Sequence, residues 1–115
     1  MSPKGVEIVT SIGPKGSQTI LRLSGPLNIH TVFEFQEVVR ADASDVLIID
    51  CTDVPYIDSA GLGALVGAYI GARRARRKFA LAAANTQVKA LIEMTQVNQL
   101  LPIYATVRDA ETSIT

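Results

Sequence analysis

Asp45-Val46-Leu47-Ile48-Ile49-Asp50, then a short loop, then Asp58-Ser59-Ala60-Gly61-Leu62-Gly63: these two stretches decide how the chain is read. The first is a short, almost wholly apolar run bounded by acids, the pattern of a strand buried on both faces of a sheet. The second opens a helix, rich in Ala, Leu and Gly, that runs to about Ala75. Ser59 therefore falls at or next to a helix N-cap, beside backbone N–H groups with no partner inside the helix. Those groups and the helix dipole favour negative charge, so a phosphate on Ser59 would be stabilised locally. The plainer reading of the same residues is that Asp58 and Ser59 only cap the helix.

Working outward, Val6 to Ser11 alternates apolar and polar residues and reads as a first strand. Ile12 to Gly16 is dense in turn formers and predicts a hairpin connection. Thr19 to Leu23 alternates again and pairs back on the first strand, until Pro26 removes a ladder donor. A helix is expected from about Ile29 to Ala41, with Val32, Phe33, Phe35, Gln36 and Val39 at helical spacing. After the central helix come a strand over Lys78 to Ala83 and a helix from Thr86 to about Thr95 capped by Asn85. A short strand over Leu101 to Ala105 and a weak helix from Val107 to about Ser113 finish the chain.

Alternation of strand and helix from residue 45 onward implies parallel strands joined by crossover helices. With the leading antiparallel hairpin, the expected fold is α/β, built on a single mixed β-sheet. The 115 residues leave room for one core, so residues 1–115 form a single domain.

The totals narrow the function. The chain is 48% apolar, with 11 basic and 11 acidic residues, so no overall field attracts nucleic acid or a membrane surface. No apolar run approaches the ~20 residues of a membrane helix, and no signal core follows Met-Ser-Pro-Lys-Gly at the start; cytoplasmic location is the expectation. Cys51 is the single cysteine and His30 the single histidine. Metal sites and Ser-His or Cys-His catalysis are poorly supplied by them. Cys51 follows a buried strand between acids and is expected to be an inert packing residue. His30 is expected at the cap or first turn of its helix.

The stretch Val46 to Asp50 with Tyr56-Ile57-Asp58-Ser59-Ala60-Gly61-Leu62-Gly63 resembles the signature of STAS domains, the sulfate transporter and anti-sigma-factor antagonist group. Ile20 to Asn28, Phe79 to Ala84, and Leu91 to Asn98 fit the same pattern in order. The resemblance implies helices mainly on one face of the sheet. In the antagonist branch it implies a non-enzymatic switch without a cofactor. The unphosphorylated protein binds an anti-sigma factor that doubles as a serine kinase and so frees a sigma factor. Ser59 matches the phosphoacceptor, and Asn28, Asp58, Ser59, Ala60, Gly61 and Leu62 map to the partner-binding region. A phosphatase that reverses the mark is a further implied partner. ATP would belong to the kinase, because no glycine-rich loop followed by lysine is present here. Two positions depart from the pattern: Pro26 and Asn28 replace acids, and Ala60 replaces a second hydroxyl residue. Some STAS domains instead dock on a membrane transporter or sit in a larger stress-sensing scaffold, and this is the alternative role.

Three other features carry expectations. Gly63, Gly67 and Gly71 share one helical stripe. Each costs ~1 kcal/mol against alanine, so close packing of the stripe on the sheet is expected, with a partner surface as the alternative. Arg73, Arg74, Arg76, Arg77 and Lys78 end the same helix and are expected to be solvated, complementing its dipole; an acidic partner or nucleotide phosphates are the sharper reading. Asp50, Asp53 and Asp58 bracket one loop, where Mg²⁺ could be held as in receiver domains.

Overall fold

The computed structural model describes residues 5–14 and 16–114. Strands β1 (Glu7–Ile12), β2 (Gln18–Ser24), β3 (Val46–Asp53), β4 (Lys78–Ala82) and β5 (Ile103–Tyr104) lie in sequence order across one sheet. β1 and β2 pair antiparallel, and every later pair is parallel. Between and after them run α1 (Val32–Ala41), α2 (Ser59–Arg74), α3 (Thr86–Met94) and α4 (Val107–Ser113). The mixed sheet with a leading hairpin is therefore present.

Side-chain alternation along the central strands sorts the core into two layers. Leu21, Leu23, Leu47, Ile49, Phe79 and Leu81 face α1, α2 and α3 and form the larger core with Phe35, Leu65, Val88 and Ile92. Ile20, Val46, Ile48, Ala80 and Ala82 face the other way and are covered by Ala110 and Ile114, which bracket the end of α4. Three helices thus lie on one face and one on the other. β3 is buried from Val46 to Cys51, as expected for a strand covered on both faces. Cys51 is 2% exposed, and burial pushes its thiol up to about 12, which keeps it inert.

Four expectations are corrected. The glycine stripe does not pack on the sheet: a Cβ placed on Gly63, Gly67 or Gly71 meets nothing within 4 Å, and all three are exposed. Within α2 the glycine that needs its small size is Gly61, where a Cβ would come within 2.8 Å of the Leu27 carbonyl carbon and closer still to its oxygen. The arginine run is not uniformly solvated either. Arg77 is part-buried, pairing with Asp42 at 2.5 Å and donating to the Ser44 carbonyl oxygen. α1 also starts later than expected, at Val32, because the preceding residues close a turn of their own. Asn28 Oδ1 accepts from the His30 N–H, and Thr31 Oγ1 accepts from the Asn28 N–H. His30 consequently lies before the N-cap, Thr31.

Candidate functional site

The candidate site is built where two loops meet at the carboxyl ends of β2 and β3. After β2 the chain runs Gly25-Pro26-Leu27-Asn28; after β3 it runs Val54-Pro55-Tyr56-Ile57. The loops lie side by side through a parallel bridge between Leu27 and Ile57. The Leu27 N–H donates to the Tyr56 carbonyl oxygen at 3.2 Å, and the Asp58 N–H donates to that of Leu27 at 3.3 Å. Leu27, Val54 and Ile57 are buried and pin both loops to the core. From α3, the Asn85 side-chain amide donates to the carbonyls of Val54 and Pro55 while its oxygen caps its own helix at Val88.

Asp58 is the N-cap of α2, with extended backbone. One carboxylate oxygen accepts the Gly61 N–H at 2.8 Å and the other accepts the Ile29 N–H at 3.1 Å. These donors, Gly61 foremost, hold its carboxyl below the usual carboxylate range, so it is ionised at neutral pH. Ser59 is the first residue of the helix proper, one place past the cap. Because Asp58 performs the capping, the Ser59 hydroxyl makes no hydrogen bond among the described residues, and the residue is exposed. The capping account of this pair applies to Asp58 alone.

The remaining site residues divide by accessibility. Asn28 and Ala60 are half-buried, and the Asn28 amide donates to the Tyr56 hydroxyl at 3.3 Å. Gly61 and Leu62 are buried; Leu62 is part of the main core and presents little surface. The apolar surface at the site comes instead from residues whose exposure the sequence reading did not anticipate. Ile29 and Phe33 are 66% and 67% exposed, and Tyr56 is exposed beside Asn28. Phe33 falls between Val32 and Phe35, off the inward phase that Phe35 and Val39 define, and that phase was the available signal.

The three acids of this region do not converge. Asp50 is buried and accepts from the N–H and hydroxyl of Thr52, at 3.0 and 2.6 Å. Asp53 pairs with Arg22 at 2.5 Å across to β2. Asp58 is occupied by the two backbone donors described above. Each carboxylate is spent on a local partner, and among the described residues no group of three or more His, Cys, Asp or Glu is placed to hold a metal ion. No helix among these residues is long and apolar enough to cross a membrane.

The comparisons with known proteins agree with this geometry. The family model for the STAS domain matches residues 6–110. An anti-sigma-B factor antagonist of Listeria monocytogenes is 32% identical over 84 residues, covering 70% of this chain and 74% of that protein. A crystal structure of a putative anti-sigma factor antagonist from Thermotoga maritima superposes with a TM-score of 0.86 at 23% identity, covering 93% of each chain. That of an anti-sigma factor antagonist from Mycobacterium paratuberculosis gives 0.87 at 22% identity, over 98% of this chain and 97% of the other. With its signature loop, its strand order and these matches in accord, the chain belongs to the STAS domain family.

Proposed function

We propose that this protein is an anti-sigma factor antagonist: a non-enzymatic binding protein whose contact with an anti-sigma factor is switched by phosphorylation of Ser59. One observation carries the reading. Ser59 is an exposed hydroxyl at the first turn of α2 whose capping duty has been taken over by Asp58, so it is free to react. The chain supplies an acceptor and a docking surface; the kinase supplies ATP and the groups that remove the hydroxyl proton. In the transfer, the Ser59 oxygen attacks the γ-phosphorus, its bond to the β-phosphate bridging oxygen breaks, and ADP leaves.

The switch follows from charge. Unmodified, the patch is formed by Ser59 and Ala60 with the exposed apolar side chains of Ile29 and Phe33 at the start of α1. Phosphate adds about −1.5 to −2 charges to it, next to an Asp58 that is already ionised. The helix N-terminus softens that repulsion enough for the phosphoprotein to stay folded. A partner seated over the patch must desolvate the new charge, and losing about 4 kcal/mol of contact energy weakens binding roughly a thousandfold.

The test is incubation with the anti-sigma factor kinase and ATP, followed by peptide mass mapping. Phosphate on Ser59 is the expected result. Phosphate on Thr52 or Thr86 instead would remove the switch and favour a docking role on a larger assembly.

A further inference from the structure

At the far end of α2 from Ser59, the structure forms a cleft of about 520 Å³ between the helix end, β5 and the end of α4. Sixteen residues of helix separate the two ends, about 24 Å at 1.5 Å per residue. The volume is in the range of small-molecule sites. Arg73, Arg76, Arg77 and Lys78 line it with Tyr69 and Tyr104, and among its described lining residues there is no Asp or Glu. We propose that this cleft binds a small molecule carrying a diphosphate group. The proposal does not rest on the Ser59 reading.

The cations are placed there and not merely gathered at a helix end. Arg77 is neutralised and fixed by Asp42, whereas Arg73, Arg76 and Lys78 have no acidic partner among the described residues. The Arg73 guanidinium lies 5.9 Å from the centre of the Tyr69 ring and donates to its hydroxyl at 3.1 Å. That hydroxyl therefore keeps its own proton to donate to an acceptor. Arg76 has a left-handed backbone, φ 59°, and closes a helix-ending turn in which its N–H bonds Arg73 and the Arg77 N–H bonds Ala72. Glycine usually fills that position because a Cβ there is strained. Of the three non-glycine residues with positive φ among the described residues, Arg76, Ala83 and Gln96, Arg76 is the one that lines the cleft.

Charge and shape select the ligand class. One phosphate monoester brings about −1.5 to −2 charges, fewer than three cations and a phenol proton can satisfy. A diphosphate fills them, and guanidinium groups suit its oxygens. The Tyr104 ring offers a wall for an organic remainder.

Calorimetric titration of the whole chain with inorganic pyrophosphate tests this, with orthophosphate as a comparison at matched ionic strength. One pyrophosphate is expected per chain, bound more tightly than orthophosphate. Arg73→Gln and Arg76→Gly should each weaken it by about tenfold or more, whereas Arg74→Gln, which removes the same charge from an exposed residue outside the cleft lining, should change it by less than about twofold. The melting midpoint of Arg76→Gly should match or exceed that of the parent, separating lost binding from lost fold. Absence of binding, equal affinity for orthophosphate, or an Arg74→Gln loss as large as the others would overturn the proposal. So would a glutamate-rich peptide bound more tightly than pyrophosphate, which would give the cleft to an acidic protein.

Discussion

Asp58 accepts a hydrogen bond from the backbone N–H of Ile29, at 3.1 Å, across a separation of 29 residues. With its second oxygen on Gly61, one carboxylate caps α2 and ties that cap to the turn that leads into α1. The exposed patch around Ser59 and Ile29 therefore has a fixed frame, to which this carboxylate adds two bonds beside the Leu27–Ile57 bridge.

Replacing that charge should be costly in a pH-dependent way. Asp58→Ala removes a cap worth about 1 kcal/mol, and urea unfolding near neutral pH should show that loss. The folded carboxyl titrates below its unfolded value. Its stabilisation is thus fully present above the unfolded value of about 3.9 and is lost as pH falls through the lower folded one. The gap between parent and variant should be constant above about pH 5 and close on further acidification. A gap that stays open in acid would mean that the ionised carboxylate is not what stabilises the loop.

Gly61 and Gly67 lie on the same helix and should respond to alanine with opposite signs. At Gly61 the added methyl runs into the Leu27 carbonyl, which the bridge to Ile57 holds in place. A cost of about 1–3 kcal/mol is expected from such overpacking. At Gly67 there is open space, so Gly67→Ala should stabilise by about 1 kcal/mol through helix propensity. Thermal melts of the two variants, run side by side, read both signs.

These glycines mark the boundary of what the sequence shows. Periodicity places Gly63, Gly67 and Gly71 on one stripe, but it does not say which side of α2 the sheet occupies. The close approach at Gly61 depends on a loop 34 residues earlier in the chain. β3 was legible because burial on both faces writes an unbroken apolar run, and α3 because Asn85 sits one residue before a periodic segment. The hairpin was legible from its turn formers. The start of α1 was not, since Asn28 and Thr31 compete for the backbone with their own side chains. At the candidate site, the position of Ser59 at the start of α2 was readable from a local motif. The exposure of Ile29 was not, because apolar residues are read as core until packing shows otherwise, whereas that of Phe33 was available from the helical phase set by Phe35 and Val39.

Arg77 and Asp42, 35 residues apart, form the ion pair that an arginine-rich helix end conceals in sequence. Their side chains are only 17% and 13% exposed. Arg77→Gln should cost about 1–3 kcal/mol, since Asp42 loses its charged partner and the Ser44 carbonyl a donor. Adding Asp42→Asn should recover part of it, because the stranded carboxylate is then gone. Strict additivity in this double-mutant cycle would show that the two groups do not interact.

The proposed switch can be separated from the fold with three variants. Ser59→Ala should melt within about 1 kcal/mol of the parent, because Asp58 and not Ser59 makes the capping bond. It should bind the anti-sigma factor as the unmodified protein does and remain bound in the presence of ATP. Ser59→Asp places one negative charge beside the ionised Asp58, about half of what a phosphate brings. Its affinity should fall, but by less than that of the phosphorylated protein. Phe33→Ala leaves the charge unchanged and removes an exposed ring, 67% accessible, from the start of α1. If that ring is part of the contact, binding should weaken by about tenfold or more, the range of a buried aromatic anchor, while the melting midpoint stays close to that of the parent. Surface plasmon resonance with the immobilised anti-sigma factor ranks all three. Ser59→Asp binding as tightly as Ser59→Ala would show that charge at this position does not govern the contact. Undiminished binding by Phe33→Ala would place the partner on a surface that does not include the start of α1.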